Sequence, residues 1–256
     1  MLRYRPATVL AAVLGITAMR VTVASAEGLS FKVSFSNCEE FLGEGPVALA
    51  PAQRLLPAGY IISATPLGQA PMVVLMTRCE AVKVDGTRAI PTTISQIGIK
   101  VVSPEGTGSL NNYTLIYVTN NPFLAEALDR VGVPASYDPT ITYEYTPDGK
   151  GSNGVLYGAV PNANVPAYFF YGPETEPSPN TQQLFIANWW HGTGDLTRVR
   201  QQTTFPAISF GASNVTLYTS AFSALGQLIA GNAYGNFSTT ALRGVYASAE
   251  MIVSAH

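Results

Sequence analysis

Two histidines stand in this chain, and only His191 has neighbours that suggest chemistry. It follows Trp189 and Trp190 and precedes Asp195 in the stretch Asn-Trp-Trp-His-Gly-Thr-Gly-Asp. An imidazole beside two indoles could act as a general acid or base in an apolar cleft, and it could equally be a strand-end ring hydrogen-bonded to backbone. No Gly-x-Ser-x-Gly elbow accompanies it, so a nucleophilic serine has no motif. Two histidines without clustered carboxylates fall short of a metal-ligand set, and no metal is expected. Amines are scarce: the lysines are Lys32, Lys83, Lys100 and Lys150. Lys83 beside Asp85-Gly86 and Lys150 in a Gly-rich turn read as solvated. Strand alternation places Gln96, Gly98 and Lys100 on one face and Ile97, Ile99 and Val101 on the other. If Gln96 faces a pocket, Lys100 does too; the alternative is a lysine on a solvent face. Tyrosines are frequent, and Tyr117, Tyr143 and Tyr168 are candidates to line a pocket for a small, partly polar molecule, although such rings also serve as ordinary packing.

The surface that carries these groups is nearly uncharged. Charged residues make up 12% of the chain and the formal net charge is −2. That excludes the basic field needed to bind nucleic acid or anionic lipid. Arg3 and Arg5 precede an apolar stretch from Ala7 to Met19, and Ala24-Ser25-Ala26 follows. This is the three-part pattern of a cleaved secretory signal over residues 1–26, with Arg20 closing a run short for a bilayer. Residues 27–256 then form one domain, without a later span, in a secreted or periplasmic protein. Cys38 and Cys79 are the only cysteines, and in an oxidising compartment they are expected to form one disulfide worth about 3–4 kcal/mol. Asn112, Asn214 and Asn236 begin Asn-x-Ser/Thr sequons, which matter only in a host that glycosylates.

Short runs rich in β-branched and aromatic residues recur between Gly, Pro and Asn signals: 72–77, 93–102, 113–118, 140–145, 155–160, 167–171, 184–190, 207–210 and 214–219. Two segments read as helices. Asn121 caps the first, Pro122 opens it, and Phe123, Leu124, Ala127, Leu128 and Val131 give its apolar stripe before Gly132 stops it. The second covers 220–230, with Phe222, Leu225, Leu228 and Ile229 on one side. The fold class is mainly β with two short helices, antiparallel, in a closed or nearly closed barrel or double sheet that hides its strand edges.

The order of these elements resembles the acetoacetate decarboxylase family. The stretches ISQIGIKVV, NNYTLIYVTNNPFLAEALDRVGVPAS and GVLYGAVPNANVPAYFF follow the family's glutamate-bearing strand, tyrosine-rich strand, short helix, Pro-Lys-Lys turn and strand pair. WWHGTGDLTRVRQQTTFPAISF resembles its later strand pair, so the likeness spans roughly residues 70–230. In that family the first lysine forms a Schiff base with a ketone and its neighbour depresses its pKa. Here Pro134 matches the proline, but Ala135 and Ser136 occupy the two lysine positions. The glutamate corresponds to Gln96, and an amide cannot shuttle a proton.

The resemblance therefore implies a central pocket for a small carbonyl- or carboxyl-bearing molecule, with no cofactor and no Schiff base. Gln96, Ser136, His191 and Glu80 are the candidate catalytic groups. Pro134, Ala135, Tyr117, Lys100, Tyr143 and Tyr168 are the candidate binding residues. A non-catalytic binding protein for an apolar metabolite and a structural or interaction protein are the alternatives, and a homo-oligomer is compatible with all three.

Overall fold

The computed structural model describes residues 29–149, 153–161, 164–178, 182–192, 198–229, 237–238 and 240–255. The leader-like segment, Lys150, Asp195, Asn236 and His256 lie outside the described residues. Seven strands follow one another around a closed ring: β1 (Ser30–Val47), β2 (Ala70–Val84), β3 (Ile90–Lys100), β4 (Leu110–Thr119), β9 (Gln183–His191), β10 (Val199–Ser213) and β13 (Thr240–Ala255). All neighbours are antiparallel except β4 and β9, which pair in parallel over Leu110–Tyr113. The short β5 (Ala135–Tyr137) continues the wall, parallel to the end of β4.

A second layer of β6 (Thr142–Pro147), β7 (Asn153–Val160), β8 (Tyr168–Thr175) and β11 (Thr216–Thr219), edged by β12 (Phe237–Ser238), is joined to the ring through β8 and β10. The two layers make two cores. Between ring and second layer lie Phe41, Met72, Met76, Ile97, Ile99, Leu156 and Phe170. Inside the ring lie Phe35, Ile94, Tyr117, Phe205, Tyr246 and Met251. Strands such as β3 are consequently buried on both faces, which erases the polar half of the alternation.

Among the described residues there are three helices rather than the expected two: α1 (Leu49–Arg54), α2 (Pro122–Arg130) and α3 (Ala224–Leu228). Short α1 has no capping side chain to announce it. Asn121 accepts from the amides of Phe123 and Leu124, satisfying donors at the start of α2, and Gly132 follows at φ 88°. The buried Leu124, Leu128 and Val133 add this corner to the ring core. Helix α3 is shorter than the expected 220–230 because the Ser223 side chain, accepting from Gly226, starts it there, and Phe222 stands 93% exposed.

Asn37 takes the left-handed φ of 49°, a region Asn tolerates better than most residues. Around it the inward face changes parity: Val33 and Phe35 point into the ring before it, and Glu40 and Leu42 after it. Its Nδ2 donates to Glu80 on β2 at 2.8 Å, and the expected Cys38–Cys79 disulfide joins the same two strands one row on. Among the described residues, no helix is long and apolar enough to cross a membrane.

Candidate functional site

The ring interior is where the fold gathers polar groups in an apolar enclosure. Glu40 on β1 faces inward opposite Gly244 on β13, where a Cβ would come within 2.8 Å of the Glu40 Cγ. The glycine therefore makes room for the acid. Thr77 on β2 donates to Glu40 Oε2 at 3.3 Å, and the Tyr246 hydroxyl is a second hydrogen-bond partner. Burial pushes the Glu40 carboxyl up from 4.5 to about 7, and these two hydrogen bonds only partly oppose it. Near neutral pH it is therefore poised to carry a proton.

Glu40, Gln96, Tyr117, Trp189, Thr203 and Tyr246 are among the residues around an interior cavity of about 50 Å³, and none of its lining residues is cationic. Ordinary ligand pockets run to about 300–1,000 Å³, and a water takes up about 30 Å³ of liquid. The space suits a guest of a few heavy atoms. Gln96 donates from Nε2 to Thr114 Oγ1 at 2.9 Å, which fixes its amide against the wall. Tyr117 is fully buried, and burial raises its hydroxyl pKa, so it stays a neutral hydrogen-bonding group.

The other expected site residues are spread around this cavity rather than in it. Pro134 is exposed; Ala135 and Ser136 are half-buried on β5, paired with Tyr117 and Val118, and neither lines the cavity. Lys100 shares the inward face of β3 with Gln96 but lies at the strand end, half-buried and bonded through Nζ to Glu44 at 2.8 Å. His191 sits at the end of β9 with Nδ1 3.1 Å from the Thr114 carbonyl and its ring stacked on Tyr113. Burial lowers its pKa, with the Thr114 contact opposing, so the ring is neutral at pH 7. Tyr143 and Tyr168 belong to the core between the layers, and Tyr168 donates its hydroxyl to Ser95 at 3.0 Å. Glu80 is exposed.

A wider cleft of about 920 Å³ opens beside the disulfide, lined by Glu39, Arg78, Glu80, Glu176 and Arg243 among others. Tyr246 borders both this cleft and the interior cavity. Arg243 is 3% exposed, contacts Glu39 at 2.9 Å and Glu174 and Glu176 at 3.4 Å, and lies 3.5 Å from the centroid of the Tyr145 ring. Neither Glu40 nor Arg243 was found by sequence reasoning; the one usable signal was Glu39-Glu40 next to a cysteine in a β-compatible run.

Ring, second layer and the β4-α2-β5 corner together define the acetoacetate decarboxylase-like fold, and solved structures agree. An acetoacetate decarboxylase-like enzyme from Sphingomonas wittichii RW1 superposes with a TM-score of 0.56 at 11% identity, covering 92% of this chain and 95% of that one. The enduracididine biosynthesis enzyme MppR complexed with pyruvate gives 0.54 at 12% identity over 94% and 93%. Acetoacetate decarboxylase from Legionella pneumophila gives 0.51 at 11% over 88% and 86%. Identities this low establish the fold and leave activity open. No family model and no curated protein matches the chain.

Proposed function

We propose that this chain is an exported, single-domain protein that binds a very small neutral carbonyl compound inside its strand ring without forming a Schiff base. The observation that carries the reading is Glu40, a buried acid poised near neutrality beside the interior cavity, with no cation among the lining residues. A protonated Glu40 donates a hydrogen bond to a carbonyl oxygen, and Gln96 and Tyr117 supply further polar contacts. A carboxylate guest would meet no compensating charge there, so the neutral carbonyl is favoured over the acid. The pyruvate bound by MppR supports small oxo compounds as the ligand class for the fold. Export is supported by the Cys38–Cys79 disulfide and the leader-like first 26 residues.

A guest of three heavy atoms at the ceiling of about −1.5 kcal/mol per atom binds with a Kd on the order of 1 mM. Saturation-transfer NMR with acetaldehyde and acetone at pH 6 and pH 8 tests this. Transfer at pH 6 that weakens at pH 8, and that is lost in Glu40→Leu, is expected. No transfer at either pH, or transfer unchanged in Glu40→Leu, rejects the site. Borohydride added with either compound is expected to label lysines only to the unsaturable extent of exposed amines, with no site-specific label.

A second reading, a self-associating structural protein, draws on the outer face of the second layer. There Tyr157, Phe169 and Tyr171 are 42%, 40% and 52% exposed, and Phe169 stacks on Tyr218 at 4.7 Å. Sedimentation of wild type against Tyr171→Glu checks it: a dimer that dissociates in the variant supports this reading, and a monomeric wild type removes it.

A further inference from the structure

Among the described residues, one polar side chain of the ring has no protein partner at all. Asn112 on β4 is 0% exposed, and both its amide nitrogen and its amide oxygen lack a hydrogen bond. Gln201 on β10 is 1% exposed, and its Oε1 is also unpaired. Thr114, two residues along β4 from Asn112, accepts at Oγ1 from Gln96 at 2.9 Å and from Gln201 at 3.3 Å. Both lone pairs of that hydroxyl are thereby occupied, so its own proton must be donated elsewhere.

The strand register brings these groups together. Asn112 is the β4 partner of Trp189, and Gln201 is the β10 partner of the same Trp189, so the two amides flank the indole from adjacent strands. The indole lies against Gly98, where a Cβ would meet Trp189 Cζ3 at 2.7 Å. Neither amide lines the 50 Å³ cavity. Gln201 reaches across β9 to Thr114 Oγ1 at 3.3 Å, which brings its unpaired Oε1 to the strand that carries Asn112.

The chemistry of the unmet groups selects the occupant. Asn112 offers two N–H donors and one acceptor, Gln201 one acceptor and Thr114 one donor. A bridging molecule must therefore donate and accept. A metal cation would need several oxygen ligands, and the neighbouring carboxylate, Glu44, is already paired with Lys100 at the ring end. An anion would lose hydration against an uncharged wall. We infer that ordered internal water occupies the ring interior between Asn112, Thr114 and Gln201, held there as a structural part of the fold and separate from the carbonyl site. The inference stands whether or not the cavity by Glu40 takes a guest.

Water–protein NOE spectra of the uniformly labelled wild-type protein test it directly. Cross-peaks of long-residence sign from water to the Asn112 side-chain amide protons are expected, and their absence overturns the inference. Asn112→Leu supplies a second measurement, since leucine has a similar volume and no polar atom. Loss of bound water leaves Gln201 and Thr114 unmet, so a thermal midpoint several degrees lower is expected. A midpoint that rises shows that the amide was dry and unpaired, and overturns the inference as well. Gln201→Met is the companion if Asn112→Leu does not fold; loss of the Asn112 cross-peaks in it is expected, and their survival at full intensity overturns the bridge.

Discussion

Glu40 and Glu174 are 4% and 2% exposed on opposite sides of the wall that β1 and β13 form, and both carboxyls are pushed up to about 7 by burial. Their surroundings differ. Glu40 faces the ring interior and has only hydroxyls, from Thr77 and Tyr246. Glu174 faces the gap between the layers and has Ser213 and the Arg243 guanidinium, which also touches Glu39 and Glu176. Burial pulls the Arg243 pKa down, but Tyr143, Glu176, Glu39 and Glu174 more than reverse this, so the arginine stays charged. Of the two acids, Glu40 alone is free of a structural ion pair. It can hold or release a proton without dismantling a charge network, which fits a binding group; Glu174 belongs to the staple that joins the layers.

Removing the staple should have the largest effect. Arg243→Met leaves the buried Glu174 without a counter-charge, whereas Glu39 keeps Arg78 and Glu176 is partly exposed, and breaking one side of a buried pair costs about 3–5 kcal/mol. Urea unfolding at pH 8 and pH 5 should show a greater loss at pH 8, because a protonated Glu174 needs no counter-charge. An equal loss at both values would mean that the network does not distinguish the charged acid from the neutral one.

The second effect concerns Glu40 and follows from its raised value. The native state keeps a proton that the unfolded chain releases near 4.5, so stability is full at low pH and falls as pH rises from 4.5 towards 7. A shift of this size corresponds to about 3 kcal/mol above pH 7. Glu40→Gln cannot ionise; it should match wild type at pH 4.5 and exceed it at pH 8 by up to about that amount. If the variant shows the same fall as wild type, Glu174 alone titrates and the contrast between the two acids is wrong.

Why neither acid stood out from sequence is a matter of which strands were legible. Helix α2 was visible because Asn121, Pro122 and Gly132 each do what their chemistry favours. β3 and β4 were visible as β-branched and aromatic runs, and alternation along β3 correctly paired the faces of Gln96, Gly98 and Lys100. The longest strands, β1 and β13, were missed. In β1 the alternation Ser-Phe-Lys-Val-Ser-Phe-Ser over 30–36 was there to read, but Asn37 then reverses the face and Glu39 and Glu40 fill both sides, so no period of two runs the length of the strand. In β13 the buried Arg243 and the room-making Gly244 interrupt any apolar pattern. Both strands keep exposed outer residues, Lys32 and Ser36 on β1 and Leu242, Val245 and Ile252 on β13, while the buried Glu40 and Arg243 mark polar networks instead of solvent. The resemblance pointed to Pro134, Ala135 and Ser136 because it follows chain order, yet the acid nearest the cavity belongs to a strand outside the region that resemblance spans.

The finest test trims one hydroxyl from each acid. Thr77→Val removes the donor to Glu40 Oε2 at 3.3 Å, and Ser213→Ala removes the donor to Glu174 Oε1 at 3.0 Å. Each loss should cost about 1 kcal/mol at pH 8, where the carboxylates need the bond. The pH dependence separates them. Both hydroxyls hold their acid's pKa down, so either substitution moves the fall in stability to higher pH. Beside Glu174 the Arg243 charge remains and limits the move; beside Glu40 only Tyr246 remains, so Thr77→Val should shift the curve further despite its longer bond. If Ser213→Ala shifts it more, Arg243 is committed to Glu39 and Glu176 rather than to Glu174, and Glu174 becomes the more weakly supported acid of the two.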